Sequence, residues 1–94
     1  MNWWWLSFCD PDRPAGDRFV GGCFVQGRDV GCAVRRAWQL GCNPDGEVAG
    51  LPFSDEAMDG IGPEWRERLL SDEDVDALDK AQAQARARRA QKRN

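Results

Sequence analysis

The 94 residues contain no His, Tyr or Thr, and Ser occurs only at Ser7, Ser54 and Ser71. The side chains left to do chemistry are four cysteines, 11 arginines, 2 lysines and the acids. Without an imidazole no side chain titrates near neutrality unaided, so acid–base catalysis would need a strongly shifted carboxyl, thiol or amine. Cys9, Cys23, Cys32 and Cys42 are separated by 13, 8 and 9 residues. Zinc frameworks use close cysteine pairs and here no histidine can complete one, so the spacing argues against a metal site. A cysteine nucleophile at Cys9 or Cys32 would lack a histidine to form its thiolate. The expectation is therefore a protein that is not an enzyme and has no metal or cofactor, its cysteines serving as small hydrophobes. Cys32, on the polar face of a helix, is expected to be the most exposed thiol and Cys23 among the least.

The candidate binding residues are aromatic and basic. Trp3 and Trp5 lie two apart and share one face of any strand that contains them. Trp beside Arg is a pairing that binding surfaces favour, because stacking and cation–π attraction act together. Packing in the core is the competing role for each. Arg28, in the run Gly27-Arg28-Asp29, stands where a strand runs into a helix, a place suited to anions unless Asp29 takes the free N–H groups itself. Arg35 and Arg36 form a cationic pair on the outer face of that helix, either simply solvated or, beside a protomer boundary, able to hold phosphates or a partner's carboxylates. Trp3, Trp5, Arg28, Arg35 and Arg36 are the candidate ligand-binding set. The run from Lys80 to Arg93 could touch nucleic-acid phosphates, but the net charge of −3 and ten acids in residues 55–79 oppose a polyanion. A solubilising helix is the reading preferred there, and nucleic acid is not an expected partner.

Positioning these residues falls to a small α+β unit. Apolar residues make up 41% of the chain and charged residues 31%, which suits one soluble domain. Residues 1–53 hold every Cys, every Phe and four of the five Trp, so the core is expected there. The run Asn2–Phe8 reads as a strand apolar on both faces, with Trp3, Trp5 and Ser7 on one and Trp4, Leu6 and Phe8 on the other, hence a central strand. Arg18–Gln26 reads as the second strand, in which Gly21 and Gly22 mark a bulge or the close approach of backbone or ligand. Asp29 caps a helix to Leu40, stopped by Gly41, with Val30, Ala33, Val34, Ala37, Trp38 and Leu40 on its apolar side. Asn43-Pro44-Asp45-Gly46 turns the chain into a third strand, Glu47–Phe53, that Pro52 ends or places at an edge.

The resulting fold is a three-stranded mixed sheet, β-β-α-β in order 2-1-3 with the first strand antiparallel to both others, half of a ferredoxin-like sandwich, followed by a helical extension. Residues 54–79 are expected to dock on or near the core, with short helical turns starting at Ser54 and Pro63 and a capping box at Ser71 and Asp74. Residues 80–94 carry six basic groups and no acid, an Arg-rich helical or frayed tail. A core of this size is marginal alone, and its excess of aromatic surface predicts a homo-oligomer formed through residues 1–53. No apolar run approaches the length of a membrane span, and with no secretory pattern at the start a reduced, cytoplasmic setting is expected.

Three stretches, Trp4-Trp5-Leu6-Ser7-Phe8-Cys9-Asp10-Pro11, Leu40-Gly41-Cys42-Asn43-Pro44-Asp45-Gly46-Glu47-Val48 and Arg68-Leu69-Leu70-Ser71, resemble a family of small uncharacterised proteins of phages and bacteria over about residues 3–79. The resemblance implies no catalytic residue. It implies an accessory, anti-defence role in the host cytoplasm, exercised by binding something of the host's. Joined to the Trp and Arg content, it leads to the expectation of an oligomer that sequesters a small anionic, nucleotide-like signalling ligand. An inhibitor that binds a host protein through the acidic segment or the aromatic sheet face is the alternative, and nucleic-acid contact through the tail a further one.

Overall fold

The computed structural model describes residues 1–92, with side chains through Arg88. Its elements are β1 (Asn2–Cys9), β2 (Phe19–Gly27), α1 (Val30–Leu40), β3 (Glu47–Phe53), α2 (Asp55–Asp59), a 3-10 turn (Pro63–Trp65) and α3 (Asp72–Lys92). The sheet order is β2-β1-β3 and both ladders are antiparallel. The order and the central place of β1 are those expected. The second strand lies one residue later than its composition suggested. Its irregularity falls at Val20, where the register passes from Phe8↔Gly21 to Cys9↔Phe19, rather than at the glycine pair.

Two apolar clusters sandwich the sheet. Leu6, Phe8, Cys23 and Val25 meet Ala33, Ala37 and Cys42, with Trp4, Val34 and Leu40 at the border. On the opposite face Phe24 joins Met58, Ile61, Leu70 and Leu78, bordered by Trp3, Trp5, Phe53, Trp65 and Val75. The core is therefore not confined to residues 1–53. The acidic segment contributes four of the buried side chains, because β1 is apolar on both faces and α1 covers only one.

Local chemistry explains the element ends. Asp29 accepts the Cys32 N–H at 2.8 Å and caps α1, and Gly41 closes it at φ 74°. Ser54 accepts the Ala57 N–H and caps α2. Ser71 and Asp74 exchange side-chain-to-backbone bonds of 3.0 and 3.2 Å, the reciprocal cap read from the sequence. In the turn before β3 it is Asp45, at φ 73°, that takes the left-handed conformation beside Gly46. The Asn43 carboxamide oxygen supports it by accepting the Asp45 N–H.

The two edges of the sheet differ. Along β2, Gly22 and Leu70 exchange backbone bonds of 3.0 and 2.7 Å, and the Glu67 N–H donates to the Phe24 carbonyl at 2.9 Å. The middle of that edge is covered by the chain's own residues 67–70. The outer edge of β3 has no such cover among the described residues, and Glu47 to Pro52 are all exposed.

Candidate functional site

The charged face of α1 forms one wall of a cleft of about 410 Å³, to which Arg28, Cys32, Arg35, Arg36, Gln39 and Gln26 contribute. The sequence dictates this wall. With Ala33 and Ala37 held against the sheet, positions 32, 35, 36 and 39 of α1 turn away from it at helical spacing. Arg28 is set at the corner by Gly27, where a β-carbon would collide with the backbone of Ala33, so that only glycine lets α1 start this close to β2. The Trp4 indole N–H donates to the Gly27 carbonyl at 3.0 Å and holds the same corner from the sheet side.

The cleft is cationic. Among the described residues, Arg13–Asp10 and Arg68–Asp74 are the ion pairs within 4.0 Å, and none involves Arg28, Arg35 or Arg36. Asp29 spends its carboxylate on capping: the Cys32 backbone N–H is the first cause holding it below the usual carboxylate range, and neighbouring Arg28 adds to the effect. The α1 N-terminus thus has its acceptor already, and an anion in the cleft would be met by guanidinium and carboxamide groups. A second cleft, about 460 Å³, lies beside α2 and α3 and sets Glu56 and Asp59 against Arg86, a poorer place for an anion.

The candidate residues do not form one site. Arg28, Arg35 and Arg36 come together, whereas Trp3 and Trp5 lie on the other face of the sheet, half-buried against Phe24, Phe53 and the docked acidic segment. Trp5 packs against Phe24 with ring centroids 4.7 Å apart and planes tilted by 43°. The pairing of Trp with Arg is made inside the chain: the Arg66 guanidinium stands 5.0 Å over Trp3 and that of Arg68 5.5 Å from Trp65. Arg66 also donates to the Met58 and Ile61 carbonyls at 2.6 and 2.9 Å, clasping the segment that covers Trp3. Strand parity put Trp3 and Trp5 on one face, and nothing in it showed that a distant arginine would cap Trp3.

Other expectations need correction. Trp38 and Val30, placed on the buried side of α1, are 54% and 41% exposed. The helix packs mainly over β2, so one flank of its apolar stripe overhangs the sheet beyond β1. Cys32 is half-buried, as is Cys9, so it does not stand out as the exposed thiol. Cys23 and Cys42 are buried, and burial pushes both thiols up. Gln26, Cys32 and Gln39 join the expected arginines in the cleft, and for Cys32 and Gln39 the helical period that groups them with Arg35 and Arg36 is the signal that could have found them. Among the described residues no three His, Cys, Asp or Glu side chains gather as a metal site would require. No described helix is long and apolar enough to cross a membrane. The chain matches no family model, and no curated protein or solved structure is significantly similar to it.

Proposed function

We propose that this protein is a non-enzymatic, phage-type accessory protein that, as an oligomer, binds and sequesters a small anionic, nucleotide-like ligand. The observation that supports this most is the convergence of Arg28, Arg35 and Arg36 on one cleft, with no carboxylate among the described residues in ion-pair range of any of them. Its volume of about 410 Å³ lies in the range of small-molecule sites, roughly 300–1,000 Å³. Three guanidinium groups offer flat, forked donors to phosphate oxygens, and Gln26 and Gln39 add neutral donors and acceptors for the rest of a ligand. Because Trp3 and Trp5 lie across the sheet, the cleft recognises charge first, and base stacking is not supplied by those two side chains of the same protomer.

Calorimetry of the full chain against linear and cyclic nucleotides tests this reading, with mass spectrometry of whatever heat releases. Binding that releases the ligand chemically unchanged, and that the double change Arg35→Ala with Arg36→Ala weakens about tenfold or more, is the expected result. No binding to any member, or a ligand returned altered, would overturn it.

A further inference from the structure

The sheet closes one edge and leaves the other open. Residues 67–70 bond to Gly22 and Phe24 in the middle of β2, so a strand cannot pair along the length of that edge without displacing them. At β3 a strand of seven residues, about 23 Å long, offers its outer backbone groups to solvent. Uncovered edges are normally blunted by charge, bulges or proline. Here the strand interior, Val48-Ala49-Gly50-Leu51, carries no charge, and Pro52 is the one such device.

Exposed apolar side chains gather around that edge. Leu51 is 55% exposed on the Trp5 face of the sheet and Val48 41% exposed on the α1 face. Val30 packs where a β-carbon at Gly50 would sit, which brings the flank of α1 to β3. Val34 and Trp38 follow Val30 at four-residue intervals on the same stripe, ending in the exposed indole. Four of the six large hydrophobics exposed among the described residues, Val30, Trp38, Val48 and Leu51, thus belong to one side of the molecule.

We propose that this edge takes a second copy of the same chain, with β3 pairing antiparallel to its own equivalent so that two three-stranded sheets become one of six strands. Charge and closure select this occupant. The α1 arginines Arg35 and Arg36 line the cleft with Arg28 and Gln26, and the one charge of β3 is Glu47 at its first residue, so residues 48–51 have no charge with which to recognise a charged peptide, whereas a second copy brings a matching apolar flank. Antiparallel pairing sets the two Glu47 side chains at opposite ends of the ladder, while parallel pairing would set them side by side. The outer edges of the six-stranded sheet would then be β2 of each copy, where residues 67–70 already occupy Gly22 and Phe24, so assembly stops at a two-fold dimer instead of growing into a fibre. The pairing rests on the proposed function only for its expectation of an oligomer. Light scattering reads it whether or not an anion binds, and calorimetry reads the anion whether or not the chain pairs.

The experiment is light scattering of the full chain across a micromolar concentration series, with Leu51→Lys as the edge variant and Arg86→Glu, on α3, as the control. A dimer that Leu51→Lys weakens about tenfold or more, and that Arg86→Glu leaves intact, is expected. Hydrogen exchange on the unaltered chain is the second readout, independent of how the variant folds: amides of residues 48–51 should exchange more slowly at high concentration than at low. A monomer throughout the series would overturn the proposal. So would a dimer whose β3 amides exchange equally fast at both concentrations, or one that a normally melting Leu51→Lys variant leaves unchanged.

Discussion

The indole of Trp5 occupies the space that a side chain at Gly22 would need: a β-carbon there would collide with the far edge of the ring and with the Leu6 carbonyl. Gly22 is also the residue whose backbone pairs with Leu70. Gly22 therefore makes room for the Trp5 indole of the central strand at the point where the acidic segment pairs with the sheet edge. Gly22→Ala is expected to destabilise the fold by about 1–3 kcal/mol through overpacking. Urea unfolding would show this as a lower midpoint, and an unchanged midpoint would mean that Trp5 has another rotamer available.

Arg66 acts as a clasp. It donates to two carbonyls of the α2 region and covers Trp3, so Arg66→Ala removes charge-assisted bonds of about 1.5–3 kcal/mol each in favourable cases, less here because the side chain is half-exposed. A loss of roughly 2 kcal/mol is expected, and Arg66→Lys should restore little, since an ammonium lacks the planar fork that meets both carbonyls. Thermal melting of both variants is the measurement.

Trp5→Ala should act on stability and not directly on ligand affinity. Its ring packs at a tilt against Phe24 in the second core cluster, and truncating such a side chain removes about 3–5 kcal/mol when it is fully enclosed, with a smaller loss for a half-buried ring. Affinity measured at a temperature where the variant remains folded should stay close to that of the unaltered chain. A large affinity loss in a folded Trp5→Ala protein would return the aromatic face to the binding site.

Stability should fall at both ends of the pH range. Asp29 and Asp74 have folded-state pKa values below the ordinary one because each accepts a backbone N–H, so what they contribute is present above the usual carboxylate pKa of about 3.9 and is lost as pH falls below it. Cys23 and Cys42 are raised by burial, so their contribution is intact below the ordinary thiol pKa of about 8.5 and is lost as pH rises through and above it. Melting temperature followed from acid to alkaline pH should trace a plateau between these limits. Cys23→Ala should flatten part of the alkaline decline if the protein tolerates the smaller side chain.

Truncation after Asp79 should leave the fold intact. Leu78 is the last buried large hydrophobic side chain, and of the side chains described beyond it, Gln82 is the one that is not fully exposed. A cooperative melt near that of the full chain is the expected outcome. Loss of cooperativity would show that the contact of Gln82 beside Gly60 holds α2 in place. The tail's last two residues, Arg93 and Asn94, lie outside the described residues.

Much of the fold was legible in local chemistry. Parity made β1 apolar on both faces and hence central, Asp29 and Gly41 bounded α1, and Ser71 with Asp74 announced α3, because caps and strand alternation act within a few residues of one another. The polar side of α1, with Arg35 and Arg36, followed from the same helical period. Only the tertiary structure decided that Arg28 joins those two across a cleft while Trp3 and Trp5 face the other way, that Arg66 from a distant turn covers Trp3, and that Trp38 overhangs an open strand instead of entering the core. Helical spacing assigns a side chain to a flank but does not say how far the sheet beneath extends, and that depends on where α1 comes to rest over β2 and β1. The glycine pair shows the same division. Its sequence said that something must come close, and only the packed chain showed the Trp5 ring at Gly22, whose backbone also bonds to Leu70, and the Leu69 side chain with the Leu70 carbonyl at Gly21, because such contacts join residues far apart in sequence.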